Sequence, residues 1–190
     1  MGTRNLTMVQ FNNEIKVAQY GQWDGYPSGQ GATILMFCSN GANLEKLKLK
    51  LEKVRFFKKG EPEEFNKKLE EKDAYTHWLY DNYNHRDIGG KILERIVESE
   101  EDEEEIVLEN DYSFGYDGLF CEWAYCVNLD TNKLEVYCGC SKRPLGKKQR
   151  FYKENQKPDE YGYHAIRMIK QFDLNNLPSL EEFVEQLKRY

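Results

Sequence analysis

An α+β fold is the class this sequence predicts, and three observations predict it. Two segments alternate apolar and polar residues across a short turn, as antiparallel hairpins do. Between and after them lie stretches whose apolar residues recur at helical spacing. Hydrophobic residues form 39% of the 190-residue chain and aromatics 14%, so its low mean hydropathy reflects 32% charged residues rather than a shortage of core-forming groups. A chain of this length fits one domain, here residues 1–190, and buries roughly 70% of the surface its unfolded form exposes.

The first hairpin is read over residues 5–11 and 14–22, with Asn12-Asn13 as a turn whose side chains tolerate the positive φ of type I′. In that register Phe11 faces Glu14, Met8 faces Val17 and Leu6 faces Gln19, and Leu6, Met8, Ile15 and Val17 share the apolar face. Arg4 falls on the same face, opposite Gly21, where the loop Trp23-Asp24-Gly25-Tyr26-Pro27 begins. Ser28-Gly29-Gln30-Gly31 then opens a helix over 32–38, and a second helix capped by Asn43 runs through Leu44, Leu47, Leu51 and Val54. Residues 61–72, with Pro62 in the first turn, form another helix, followed by helices over 74–83 and 88–97. The acidic run 98–105 reads as a solvated loop or frayed helix end. Residues 119–130 and 133–140 form the second hairpin, with Asp130 opposite Lys133, Leu129 opposite Leu134 and Val127 opposite Val136. A strand over 164–174 and a helix over 179–190, opened by the capping pattern Ser179-x-x-Glu182, complete the chain.

Charge and cysteine usage narrow the function classes. A formal net charge of -6 and a pI near 5.3 count against phosphate-backbone binding, so no nucleic-acid partner is expected. The basic stretch 141–153 reads as a solvated loop that balances the acidic run. No apolar run approaches the roughly 18 residues a membrane span needs, and no leader pattern is present, so no membrane partner is expected. Leu6 breaks the myristoylation pattern that Met1-Gly2 would start. Five cysteines (Cys38, Cys121, Cys126, Cys138, Cys140) fit reduced thiols and a cytoplasmic location. The hairpin register sets Cys126 on the face opposite Cys121, Cys138 and Cys140, and His77, His85 and His164 lack ligand spacing, so neither metal nor cofactor is expected.

No nucleophile elbow, Walker loop or dinucleotide fingerprint occurs. The candidate ligand site is the segment after the first hairpin, where Tyr20, Gln22, Trp23, Asp24, Tyr26, Ser28, Gly29, Gln30 and Gly31 crowd stacking faces, hydrogen-bonding groups and glycines together. Amides of residues 28–31 at a helix start, with Arg4, suit negative charge. Trp23 and Tyr26 suit base stacking, and Asp24, Gln22 and Gln30 suit orienting hydrogen bonds. The plainer roles are a tight turn, aromatic caps over the core end and an Arg4–Asp24 ion pair.

The opening MGTRNLT, with YGQWDGYPSGQG at 20–31, resembles a largely uncharacterised family of small phage and bacterial proteins, and CEWAYCVNLD at 121–130 and LEVY at 134–137 extend the likeness. The order of elements is also similar to amino-terminal nucleophile (Ntn) hydrolases, which implies a four-layer αββα arrangement. The nucleophile position departs from them: removing Met1 exposes Gly2, and Thr3 serves only if Gly2 is removed as well. The resemblance names a family without an activity; the residues of the loop point to a binding protein that holds a small, anionic, nucleotide-like ligand, and the phage setting that the resemblance implies would make it a counter-defence protein that sequesters a host nucleotide immune signal in the host cytoplasm. The alternatives are an amidohydrolase using Thr3, a nucleotide-signal hydrolase using Asp24 as base, and a protein-interaction module steered by the acidic run and residues 142–153. Homo-oligomerisation, and completion of the site by Arg167 or the second hairpin, are left open.

Overall fold

The computed structural model describes residues 2–101, 103–154 and 156–190; Met1, which opens the MGTRNLT block, and Asp102 of the acidic run lie outside them. Among the described residues there are seven strands, β1 (Asn5–Phe11), β2 (Glu14–Gly21), β3 (Val54–Phe56), β4 (Ile106–Leu108), β5 (Trp123–Asn128), β6 (Lys133–Cys138) and β7 (Arg167–Asp173), and six α-helices. The helices are α1 (Ala32–Ser39), α2 (Gly41–Lys50), α3 (Glu61–Glu70), α4 (Ala74–Leu79), α5 (Ile92–Val97) and α6 (Leu180–Leu187). The class is α+β, as predicted. Five strands form one mixed sheet in the order β2-β1-β5-β6-β7, and β3 and β4 pair parallel in a small second sheet. One five-stranded sheet with helices on one side thus stands where the hydrolase comparison implies two sheets between helix layers.

The two faces of the sheet are covered differently. Val9, Val17, Tyr125, Val127, Leu134 and Val136 pack against apolar residues of α1, α2, α5 and α6. Leu6, Met8, Ala18, Ala124, Cys126 and Tyr137 pack instead against Phe151, Ala165 and Ile166, which lie outside helices and strands. The sequence expectation that one face of the first hairpin carries Leu6, Met8, Ile15 and Val17 therefore needs correction. The turn is as expected, with Asn12 at φ 55° and Asn13 at φ 60°, and Phe11 does oppose Glu14. A bulge then shifts the ladder between Val9 and Gln10, so Met8 opposes Ala18, Leu6 opposes Tyr20, and Asn5 rather than Arg4 opposes Gly21. The extra residue splits Ile15 and Val17 between the two faces, which lets a short hairpin contribute apolar groups to both cores.

The second hairpin is displaced by two residues from its expected register: Asn128 pairs with Lys133 and Val127 with Leu134. A two-residue slip preserves the side-chain faces, so the expected apolar pattern survives. Its loop is longer because Asp130 serves the neighbouring turn, accepting from the amides of Asn12 (2.7 Å) and Asn13 (2.9 Å). Asn40, and not Asn43, caps α2, and Val54 leaves that helix to start β3. The capping box at Ser179 and Glu182 forms as expected.

The outer edge of β2 is closed by the chain beyond β4, where the Asp111 amide donates to Ala18 O and the Asp111 carboxylate accepts from Tyr20 N, both at 2.9 Å. The basic stretch is not simply solvated. Phe151 is fully buried, and Arg150 donates to Glu135 and to the Tyr137 hydroxyl, each at 2.8 Å. Asn128 Nδ2 donates to the other Glu135 oxygen at 2.8 Å. With side chains only 16% and 10% exposed, Arg150 and Glu135 form a pair whose members are costly to separate. Glu135→Ala is expected to lower stability by roughly 3 to 5 kcal/mol, read as a fall in denaturation midpoint at unchanged slope.

Candidate functional site

Parallel pairing of β1 with β5 brings the starts of both strands to one end of the sheet, where β2 also ends. Arg4 O accepts there from the amides of Glu122 (3.2 Å) and Trp123 (3.4 Å). The residues predicted for the site all lie at or beside this end, but the structure divides them into two groups.

The glycine-rich segment belongs to the helix side. A π-helical turn over Pro27–Gly31 runs directly into α1, so the helical path begins at the proline. The amides expected to face an anion are largely committed: Gly29 N donates to Tyr26 O (2.9 Å), Gln30 N to Asp24 O (2.7 Å) and Gly31 N to Tyr26 O (3.4 Å). Only the Ser28 N–H of the four has no backbone acceptor among the described residues. This corrects the anion cradle read from residues 28–31: the π turn closes these donors on the preceding loop. Gln30 is committed as well, its Oε1 accepting from Gly90 N at 2.8 Å.

The glycines are explained by close approach. Tyr125, fully buried, donates its hydroxyl to Gly25 O at 2.9 Å, and a Cβ at Gly31 would lie 2.8 Å from that hydroxyl oxygen. A Cβ at Gly25 would lie 2.8 Å from both Asn5 Cβ and Thr3 O. Beneath the loop runs a polar seam absent from the sequence reading, made of Asn5 and Thr7 on β1 and Gln19 opposite Thr7 on β2. All three are buried. Asn5 Nδ2 holds the loop by donating to Gly21 O (3.1 Å) and Trp23 O (3.2 Å). Asn5 Oδ1, Thr7 Oγ1 and Gln19 Oε1 have no partner among the described residues.

Arg4 belongs to the other side of the sheet. Its guanidinium sits 4.3 Å above the Phe120 ring, and among the described residues its buried Nε has no partner and it forms no ion pair with Asp24. Phe120 lines a groove of about 360 Å³ with Tyr116, Tyr161 and Tyr163, and its charged lining is Lys157 with Asp117, Asp159 and Glu160. The groove's far wall is a tight turn in which the Asp159 carboxylate accepts from the amides of Tyr161 (2.9 Å) and Tyr163 (2.8 Å). Lys153 Nζ lies 3.5 Å over the Tyr116 ring and Lys142 Nζ 5.2 Å over Tyr163, so two further cations border the aromatic cluster. Sequence reading passed over these residues because Phe120 and the 156–163 turn are far apart along the chain and follow no periodic pattern.

The remaining predicted residues are placed between these groups. Tyr20 packs edge-on against Phe114 and donates to Gln22 Oε1 at 2.5 Å, and the same oxygen accepts from Arg86, a residue that no sequence pattern linked to this loop. Trp23 and Tyr26 are exposed. The Tyr26 hydroxyl donates to Asp24 Oδ1 at 3.0 Å, and that bond raises the tyrosine pKa above its ordinary value. The Asp24 carboxylate thus accepts from a neighbouring phenol. Thr3 O accepts from Gly25 N at 2.8 Å, and a Cβ at Gly2 would lie 2.5 Å from the Trp23 ring. Trimming Gly2 to free a Thr3 amine would remove the backbone on which Trp23 rests.

Two substitutions test this account of the helix side by chemical denaturation. Gly31→Ala is expected to destabilise by about 1 to 3 kcal/mol, because the buried Tyr125 has to yield. Thr7→Val, which replaces an unpaired buried hydroxyl by a methyl of similar shape, is expected to be neutral or stabilising. Compared with protein-family models, curated proteins and solved structures, the chain matches none.

Proposed function

We propose that the protein binds, without turning over, a small anionic ligand that carries a planar ring, of the nucleotide class. The observation that carries this reading is the Arg4 guanidinium, stacked on Phe120, a ring of the aromatic groove, with its Nε unpaired. A buried N–H without an acceptor costs about 1 to 3 kcal/mol, and a phosphate or carboxylate oxygen beside it would recover that cost. Phe120, Tyr161 and Tyr163 supply stacking faces, and Lys157 a second positive charge.

Binding is favoured over hydrolysis because one Asp24 oxygen already accepts from the Tyr26 phenol, and a free Thr3 amine would require loss of Gly2, which packs against Trp23. In the phage setting that the sequence resemblance implies, such binding amounts to sequestration of a host nucleotide signal, a counter-defence role exercised in the host cytoplasm.

The test is a thermal-shift screen of the full chain with cyclic dinucleotides, ADP-ribose derivatives and mononucleotides, followed by analysis of the recovered ligand. At a hundred times its dissociation constant a ligand adds about 2.7 kcal/mol of stability. Arg4→Ala and Phe120→Ala are each expected to abolish the shift, and the ligand is expected back intact. Loss of the shift in Trp23→Ala alone would return the site to the loop over residues 22–26, and recovered product would make the protein an enzyme.

A further inference from the structure

A second cavity, of about 670 Å³, lies away from the sheet end, between α3, α4, the small β3–β4 sheet and the acidic segment before β4. Its volume is within the range of small-molecule sites, roughly 300 to 1,000 Å³. One wall carries Tyr75 and Trp78, whose rings stack at 5.9 Å with an interplanar angle of 23° while remaining 63% and 41% exposed. Stacked aromatic faces left open to solvent over a cavity form a platform for a cation or an apolar chain.

The opposite wall is acidic and held in place. Lys50 Nζ donates to Ser99 O at 2.8 Å and Lys53 Nζ to Glu101 O at 2.9 Å, which anchors the backbone there, while Glu101 itself pairs with Lys50 and Glu100, Glu103, Glu104 and Glu105 line the cavity. Some of the cavity's charge is neutralised within the protein: Arg55 bridges Glu61 (2.7 Å) and Glu105 (2.8 Å), and Lys68 pairs with Glu64 (2.8 Å). Glu100, Glu103 and Glu104 have no basic partner among the described residues. Glu103 is the most specific of them. Tyr83 donates to its Oε2 at 2.9 Å, fixing the carboxylate, while Oε1 is buried with no partner. That oxygen lacks a donor.

We propose that this cleft binds a small organic polycation, a compound with two or more ammonium groups on an aliphatic body. Glu103 Oε1 would accept from one ammonium group, Glu100 and Glu104 would neutralise others, and the Tyr75–Trp78 stack would cover the methylene chain. A bare metal ion fits less well, because no group of three or more potential ligands among the described residues is arranged to hold one. The site is independent of the groove at Arg4, and neither proposal rests on the other.

Spermidine serves as the probe, titrated into the full chain by calorimetry and by thermal shift, with magnesium chloride at matched ionic strength as control. Saturable binding is expected with spermidine and not with magnesium. Trp78→Ala and Glu103→Gln are each expected to weaken it about fivefold or more, as befits loss of a cation–π contact or a charge-assisted hydrogen bond. Glu104→Gln, at an exposed position that the fold does not need, is expected to weaken it in the same direction, and Arg4→Ala to leave it unchanged. An equal response to magnesium, or unaltered binding in all three cleft variants, would overturn the proposal. So would a lysine-rich peptide that occupies the cleft and is not displaced by spermidine, which would make the partner a protein.

Discussion

The parallel pairing of β1 with β5 is the constraint on which the rest of the molecule depends. Neighbouring parallel strands cannot be joined by a tight turn, so the chain between them has to leave the sheet and return to the same end. Here the excursion follows β2 and contains α1 to α5 together with the β3–β4 pair. The register Asn5 to Trp123 and Gln10 to Asn128 then sets the amino-terminal residues beside Glu122 and the approach to β5. Arg4 meets Phe120 for this reason, although 115 residues separate them along the chain. At the opposite end the same pairing places the Asn12-Asn13 turn against Asp130, so one carboxylate serves two loops.

From that pairing follows the asymmetry of the faces. Odd-numbered positions of β1 point to the helices and even-numbered ones to the irregular segments on the other side. Arg4 shares its direction with Leu6 and Met8, whereas Asn5 and Thr7 share theirs with Val9. The loop over residues 22–31 packs on the Asn5 side, through Tyr125, and so lies across the sheet from the Arg4 guanidinium.

Much of the fold was legible from sequence because it is written in local patterns. The Asn-Asn turn, the alternation in β5 and β6, the Ser179 capping box and most helix positions follow from period and turn chemistry. The bulge in the first hairpin was not legible, since QFNNEIKV reads equally well with or without an extra residue; packing on two cores decides it. The β3–β4 pair escaped notice for a related reason: three-residue strands joined across some fifty residues carry no periodic signal. At the candidate site the residue types were visible, but their commitments were not. Gly29 and Gly31 suggest in sequence a helix start open to an anion, and the structure uses them, with Gly25, to bring backbone against backbone and against Tyr125.

Those commitments give a sharper guide to function than composition does. A polar group bonded inside the protein has little left to offer a ligand, while a buried one without a partner represents stability given up. Among the described residues the buried, unpartnered side-chain atoms fall in three places: the seam of Asn5, Thr7 and Gln19, Arg4 at the aromatic groove, and Glu103 at the acidic cleft. The seam lies beneath packed backbone, and its atoms lie under a loop that Asn5 itself holds down. Of the other two, Arg4 stacks on a ring that lines the groove and Glu103 itself lines the cleft, and they are of opposite charge. Buried polar groups left without partners thus mark two separate places in the chain, one cationic and one acidic, and each stands beside aromatic rings.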